Sequence, residues 1–171
     1  MNFIKNKIIF ALIIVPFLYG HTPWGQHQVY RQLHMLIMCS KKDSGAFEFT
    51  KKLDSIFNIY LPKAKAKVAR TPHADRIFNL LRTNQIPLAL ISYRLLDELV
   101  KRDKKNEIFF SKNTKLIFPF PEMILIANKD FPSTKSIKIF EALLKASLET
   151  KDTKLKMFYN TNFLINFDKS I

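Results

Sequence analysis

Hydroxyl and cationic side chains recur in three short polar segments, each of which directly follows an apolar run. The segments are residues 40–45, 70–73 and 92–94. Hydroxyls and cations beside the free amides of a helix start favour a bound anion such as a carboxylate, phosphate or sulfate. The same hydroxyls would also cap helices without any ligand, and that alternative stays open. The candidate ligand-binding residues are Ser40, Lys41, Lys42, Ser44, Arg70, Thr71, His73, Ser92, Tyr93 and Arg94.

The common catalytic motifs are missing from this sequence. It contains no Ser-His-Asp set with recognisable spacing, no HExxH, no Walker loop and no GxGxxG. Asp43, Asp75 and Asp97 are isolated acids near predicted helix starts, where the helix dipole alone explains an acidic residue. We therefore predict a binding protein and not an enzyme, with no cofactor and no metal in the main site.

Cys39 is the single cysteine of the chain, so no internal disulfide can form. It ends an apolar run beside Lys41 and Lys42, and neighbouring cations would lower the thiol pKa and favour a nucleophilic thiolate. A small buried hydrophobic residue explains the same position more simply, and we expect that role.

Three histidines support one alternative function. His21, His27 and His34 precede or open the first predicted strand. Cleavage after Gly20 would make His21 the N-terminal residue, whose amine and ring can chelate copper(II) with a second histidine. The chain would then be a periplasmic metal-binding accessory protein. A polar arm that packs Trp24 against the sheet explains these residues without a metal.

The polar segments follow three predicted strands. Residues 33–39 form a near-continuous apolar run, as expected of a strand buried on both faces, and residues 88–91 form a similar run. Residues 64–70 alternate small apolar with basic side chains, which is typical of a strand with one wetter face. If these strands are parallel, their carboxyl ends bring the three polar segments to one edge of the sheet.

Helices are predicted between the strands. Apolar residues from Ala46 to Tyr60 recur at helical spacing, and Pro62 ends that helix. Thr71 and Pro72 are predicted as the N-cap and first residue of the next helix. Short connections between alternating strands and helices favour right-handed crossovers. The predicted fold class is therefore α/β, a three-layer α/β/α arrangement with a mostly parallel sheet.

The second half of the chain continues the pattern after a lysine-rich link at residues 101–105. Apolar runs follow at 108–110 and 116–118, and residues 123–127 are predicted to form another strand. Ser133 or Thr134 is the predicted cap of a last long helix. Its predicted apolar side carries Ile137, Phe140, Leu143, Leu144 and Leu148.

Residues 1–20 have the three parts of a secretory signal, namely a basic head, a short apolar core and a polar end. We predict a signal peptide, or an uncleaved N-terminal anchor, and a periplasmic location. The net charge of +14 is compatible with an anionic partner. Nucleic acid does not fit an exported protein that lacks nucleic-acid-binding motifs. The predicted organisation is completed by a polar arm (21–32), an α/β domain (33–157) and an aromatic-rich tail (158–171).

The stretch Leu33–Leu99 resembles the first lobe of type II periplasmic solute-binding proteins, most nearly the TAXI family that serves TRAP-type transporters. Residues 79–91 are similar to the family's strand that reads Gly-x-x-Asp-Leu-Ala-Leu-Val, and residues 130–132 to its closing Asp-Phe-Pro turn. Asn84 and Pro87 stand where the family has Gly-x-x-Asp. The resemblance implies a single lobe that binds a small anionic solute or a partner protein, in a transport or redox-accessory system.

A single lobe leaves its binding crevice open on one side. Tight binding would then need a lid from a second copy of the chain or from a membrane or periplasmic partner. The predicted contacts for such self-association lie in the tail and are Phe158, Tyr159, Phe163 and Phe167.

Overall fold

The structure, a computed structural model, describes residues 29–150 and 152–155. The predicted signal peptide and the aromatic tail lie outside the described residues. Residues 29–33 are helical and belong to a unit that ends at Leu33, separate from the unit of residues 34–171. Among the described residues, no helix has both the length and the apolar character needed to cross a membrane.

Five strands form one mixed sheet in the order β2-β1-β3-β5-β4. β1 is parallel to β2 and β3, whereas β5 is antiparallel to both of its neighbours, β3 and β4. β5 therefore runs against the other four strands, and the predicted mostly parallel sheet is confirmed. The strands are β1 (Leu36–Ser40), β2 (Lys67–Thr71), β3 (Leu88–Ser92), β4 (Thr114–Pro119) and β5 (Met123–Asn128).

Helices cover both faces of the sheet, which confirms the predicted α/β/α layers. Helices α1 and α5 pack with one hydrophobic cluster, and α2, α3 and α4 pack with the other. Short 3-10 turns occur at Pro62–Ala64 and Thr153–Leu155. The helices of this unit are α1 (Ala46–Tyr60), α2 (Asp75–Arg82), α3 (Tyr93–Arg102), α4 (Lys104–Asn113) and α5 (Ser133–Glu149).

The side chains of the central strands alternate between the two clusters. In β3, Leu88 and Leu90 pack on the α1 and α5 side, while Ala89 and Ile91 pack on the other side. A strand alternates its side chains with period two, so a strand covered on both faces must be apolar throughout. The continuous apolar runs of β1 and β3 are explained in this way.

The first strand is shorter than its apolar run. It begins at Leu36, and Leu33 is an exposed helical residue. Backbone pairing with the next segment begins at Met35, whose N–H donates to the Ala64 carbonyl at 3.1 Å. The strand starts where its hydrogen-bonding partner starts, and β2 begins only at Lys67, after the 3-10 turn. The predictions of strands over 33–39 and 64–70 were therefore wrong at their amino ends.

The start of α2 also differs from the prediction. The helix begins at Asp75 with Ala74 at the N-cap, so Thr71 is not the cap. Thr71 still pairs with Ser40 in the sheet, and a residue held in a parallel ladder cannot also begin a helix. Its hydroxyl instead accepts from the N–H of His73 at 3.4 Å, which forms a local turn before the helix.

The predicted lysine-rich link at 101–105 is the junction of two helices. α3 ends at Arg102, and Asp103 caps α4 by accepting a hydrogen bond from the Lys105 N–H at 2.8 Å. The apolar run at 108–110 lies inside α4. After α4 the chain returns to the sheet as β4.

Helix α5 buries only part of its predicted apolar side. Leu143 is buried, and Phe140 and Leu144 are partly buried against the same hydrophobic cluster. The helix begins at Ser133 after Pro132 and has no side-chain cap, so the predicted Ser133 or Thr134 cap was wrong. Ile139 and Leu143 are buried, whereas Ile137 and Leu148 are 56% and 79% exposed. Successive helical residues are rotated by about 100°, which places Ile137 and Leu148 on the side opposite Ile139.

Two leucine substitutions on α5 test this assignment. We expect Leu143→Ala to lower the free energy of unfolding by about 2–5 kcal/mol, because Leu143 is 2% exposed and its loss leaves a cavity. Leu148→Ala is the matched control and should change it by less than about 0.5 kcal/mol. Urea denaturation followed by circular dichroism measures both values, and equal losses would contradict the assignment.

Candidate functional site

The structure brings the three predicted polar segments together at the carboxyl edge of β1, β2 and β3. The Lys41 N–H donates to the Thr71 carbonyl at 2.8 Å, which joins the loop after β1 to the end of β2. The Ser92 N–H donates to Asp43 Oδ2 at 2.8 Å, which joins the same loop to the end of β3. These two bonds fix the positions of the three segments relative to one another.

Most of the predicted hydroxyls at this edge serve the fold. Ser40 is fully buried, and its Oγ accepts from the Lys42 N–H at 3.1 Å. The Thr71 hydroxyl forms the turn with His73 described above. Ser92 is the N-cap of α3, where its Oγ accepts from the Leu95 N–H at 3.2 Å. The capping alternative of the sequence analysis therefore accounts for the Ser92 hydroxyl.

Tyr93 is also held by protein contacts. Its hydroxyl donates to the Phe120 carbonyl at 3.1 Å, and its N–H donates to the Glu122 carbonyl at 3.2 Å. Burial raises the pKa of Tyr93 to about 12, because the ionised phenolate would lose hydration. Tyr93 therefore ties α3 to the connection between β4 and β5.

The remaining predicted residues face solvent. Lys41, Lys42 and Ser44 are exposed in the loop after β1, and His73 is exposed in the segment after β2. Arg94 is exposed too, but its Nη1 lies 2.8 Å from Glu98 Oε1 in an ion pair along α3. Among the ion pairs of the described residues, none involves the two lysines of the first loop.

Arg70 has an aromatic neighbour that the sequence analysis missed. Its guanidinium carbon lies 3.8 Å from the ring centre of Phe47, in the first turn of α1. Lys51 Nζ lies 4.3 Å from the same ring centre. A guanidinium stacked on a ring keeps its planar donors directed outward for a carboxylate or phosphate. Phe47 was predicted only as part of a helix, since its distance from Arg70 in sequence gives no local signal.

Asp43 is the second residue that the sequence analysis undervalued. Its side chain was attributed to the dipole of a nearby helix, yet the residue is only 4% exposed and binds the start of α3. Gly45 follows it with φ of 77°, a left-handed conformation that glycine adopts easily. The sequence contained a signal for this turn, because an acidic residue stands two positions before a glycine between a predicted strand and a predicted helix.

Cys39 is a fully buried residue of β1, which agrees with the small buried role that we expected. Its Sγ donates to the Ala69 carbonyl at 3.6 Å. Burial raises the pKa of the Cys39 thiol and outweighs the lowering by the hydrogen bond with Thr50 and by the charge of Arg70. The idea of a thiolate activated by the neighbouring lysines was therefore wrong.

A cavity of about 350 Å³ lies at the opposite edge of the sheet. It forms where α2 and β5 end, beside α4, and the sequence analysis did not predict it. The residues that line it include Arg82, Lys105, Ile108, Phe109, Asn113 and Lys129.

The copper-binding alternative lies largely outside the described part of the chain. His21 and His27 are not among the described residues, and His34 opens the α/β unit. That alternative stays a prediction.

The described residues form an α/β protein in which one mixed sheet lies between two layers of helices. No protein-family model, curated protein or solved structure matches the chain. The resemblance to the TAXI family therefore stays a prediction.

Substitution of Asp43 tests the bond that joins the first and third loops. Asp43→Ala should lower the free energy of unfolding by about 1–3 kcal/mol, because it leaves the Ser92 N–H without its acceptor. Asp43→Asn keeps an oxygen at this position and should lower it by about 1 kcal/mol. Urea denaturation measures the stability, and amide hydrogen exchange at Ser92 reports the bond itself. Unchanged exchange in Asp43→Ala would contradict the role.

Tyr93→Phe should show a pH-dependent loss of stability. At neutral pH the variant loses the hydrogen bond to Phe120, which lowers the free energy of unfolding by about 1 kcal/mol. Between about pH 10 and 12 the unfolded wild type releases the Tyr93 proton while the folded protein retains it. The wild type therefore loses stability through Tyr93 as the pH rises, and Tyr93→Phe does not. The difference between the free energies of unfolding of the two proteins should shrink. Urea denaturation at pH 7 and pH 11 gives both gaps, and a constant gap would disagree with the raised pKa.

Proposed function

We propose that this protein is an exported, non-catalytic binding protein that recognises an anionic ligand at the carboxyl edge of its sheet. The observation that carries the proposal is the fixed cluster of three loops at that edge. These loops present Lys41, Lys42 and Arg70 to solvent, and their one carboxylate, Asp43, is buried and hydrogen-bonded. Three exposed cations against one buried carboxylate leave an excess of positive charge in the loops, and such a surface attracts anions.

The chemistry of the edge favours binding over catalysis. The hydroxyls of Ser40, Thr71 and Ser92 are engaged in hydrogen bonds within the loops, and the Cys39 thiol is buried with a raised pKa. Neither these hydroxyls nor the Cys39 thiol resembles a nucleophile beside a general base. The exposed cations remain as the groups that a ligand can reach.

Arg70 is the proposed anchor of the ligand. Its guanidinium is already oriented by the Phe47 ring, so less side-chain entropy is lost when it binds an anion. Lys41 and Lys42 contribute positive charge from flexible side chains. The proposed ligand is a small carboxylate or phosphate, and an acidic surface of a partner protein is the alternative that the test below distinguishes.

The open geometry sets the expected affinity. Exposed charge pairs are screened by water and salt and contribute little each. We therefore expect dissociation constants of about millimolar to high micromolar for a small anion. Tighter binding requires a lid, for which we propose a second copy or a membrane or periplasmic partner held through the tail residues 158–171.

The resemblance to TAXI-family lobes supports the exported, solute-binding part of this proposal. Residues 1–20 are the proposed signal peptide or anchor, and the proposed location is the periplasm. The N-terminal sequence of exported protein would test this part, since cleavage after Gly20 leaves His21 first.

A titration of the full chain tests the anion site. Inorganic phosphate and succinate are added while amide shifts are followed by NMR. We expect saturable shifts at residues 41–45 and 70–73 that are lost in the triple variant Lys41→Ala, Lys42→Ala, Arg70→Ala. The matched control removes three exposed lysines elsewhere, with Lys63→Ala, Lys135→Ala and Lys138→Ala.

The control separates a site from general charge. If both triple variants weaken binding equally, the loops do not form a site and the proposal fails. If neither anion shifts these amides but an acidic peptide does, the ligand is a partner protein surface.

A further inference from the structure

The cavity of about 350 Å³ lies at the edge of the sheet remote from the proposed anion site. β5 is antiparallel to β3, and Ala127 pairs with Leu88, the first residue of β3. Residues 128–130 therefore lie beyond the amino end of β3, whereas Ser92 and the loops described above lie at its carboxyl end. A ligand in the cavity and a ligand on the loops would occupy opposite edges.

Hydrogen bonds hold the walls of this cavity in place. The side chain of Asn128 donates to the Leu81 carbonyl at 2.8 Å, and its Oδ1 accepts from the Asp130 N–H at 3.0 Å. The Lys129 N–H donates to the Asn113 carbonyl at 3.0 Å. These contacts tie the end of α2, the end of α4 and the turn after β5 to one another, so the backbone around the cavity is held by the fold.

The polar part of the lining is cationic. Arg82, Lys105 and Lys129 contribute three positive charges and Asp130 contributes one negative charge. None of these four residues takes part in the ion pairs of the described residues. The excess of positive charge favours an anion, and the Asp130 carboxylate favours a single negative charge over several.

The lining also offers an apolar surface. Ile108 is 45% exposed, although it lies on a helix whose neighbouring Phe109 is buried in the core. The Arg82 guanidinium carbon lies 4.9 Å from the ring centre of Phe109, so the arginine is held beside this apolar wall. An inorganic ion would leave Ile108 in water, whereas a ligand with a hydrocarbon part would cover it.

We propose that this cavity binds a small amphipathic monocarboxylate, with its carboxylate on Arg82 and its hydrocarbon part on Ile108. The cavity is small, about 350 Å³, and wide open to solvent, so it covers only part of a ligand. It therefore fits a compact molecule such as a medium-chain or aryl-substituted carboxylic acid. This second site does not depend on the anion site at the carboxyl edge.

Octanoate is a suitable probe, titrated into the full chain while the Ile108 methyl and the amides of residues 128–130 are followed by NMR. We expect octanoate to bind saturably with a dissociation constant of about 1 mM. Arg82→Gln should weaken it about tenfold, because a charge-assisted hydrogen bond is lost. Arg76→Gln, which removes an exposed arginine from the same helix, is the matched control and should leave the affinity unchanged.

The hydrocarbon contact is tested separately. Ile108→Ala should weaken octanoate about fivefold and leave acetate unchanged, whereas Ile137→Ala on the exposed side of α5 should affect neither. Neutral octanamide should bind at least about tenfold more weakly than octanoate. Equal affinity for octanamide, or an Arg82→Gln variant that binds normally, would overturn the proposal.

The two sites can fail independently. The triple variant at Lys41, Lys42 and Arg70 should bind octanoate as the wild type does. Loss of octanoate binding in that variant would overturn the cavity as the site, even if the anion site at the carboxyl edge is real.

Discussion

The antiparallel insertion of β5 between β3 and β4 is the constraint on which the rest of this structure depends. Every residue of β5 is buried, and its side chains alternate between the two hydrophobic clusters. Its first residue, Met123, pairs with Ser92 at the carboxyl edge, and its last residue, Asn128, lies beyond Leu88 at the amino edge. One strand therefore borders both candidate sites, and its pairing with β3 and β4 joins β4 to the rest of the sheet.

The polar groups at the carboxyl edge divide into those that hold the loops and those that reach solvent. Asp43 and Ser92 belong to the first group, because a buried N–H or carboxylate without a partner would destabilise the fold. Lys41, Lys42 and Arg70 belong to the second group. The resulting surface has a hydrogen-bonded backbone that carries exposed cationic side chains. Such a surface gives charge recognition that is sensitive to salt and depends little on the shape of the ligand.

The amino-edge cavity combines charged groups with an apolar surface, and this combination sets which ligands it can bind. Arg82 rests against Phe109, and Ile108 is left partly exposed beside it. Covering Ile108 with a hydrocarbon group contributes in proportion to the apolar area removed from water, and salt does not screen that contribution. The proposed site at the carboxyl edge also has three cations, Lys41, Lys42 and Arg70, and no exposed aliphatic residue is part of it. Under the two proposals the edges therefore differ in what they recognise: charge alone at the carboxyl edge, and charge together with hydrophobic contact at the amino edge.

The sequence by itself determined the α/β class, the helix from Ala46 to Tyr60 and the meeting of three polar loops at one edge. These features follow from periodicity and chain order, which are local properties of the sequence. The tertiary structure alone decided the direction of β5, the exposure of Ile137 and Leu148 on α5 and the bond between Asp43 and the Ser92 N–H, since each depends on a partner distant in the chain. The cavity is the clearest case, because its lining comes from residues 82, 105–113 and 128–130. No local pattern links these segments, and only the antiparallel pairing of β5 with β3 and β4 brings them together.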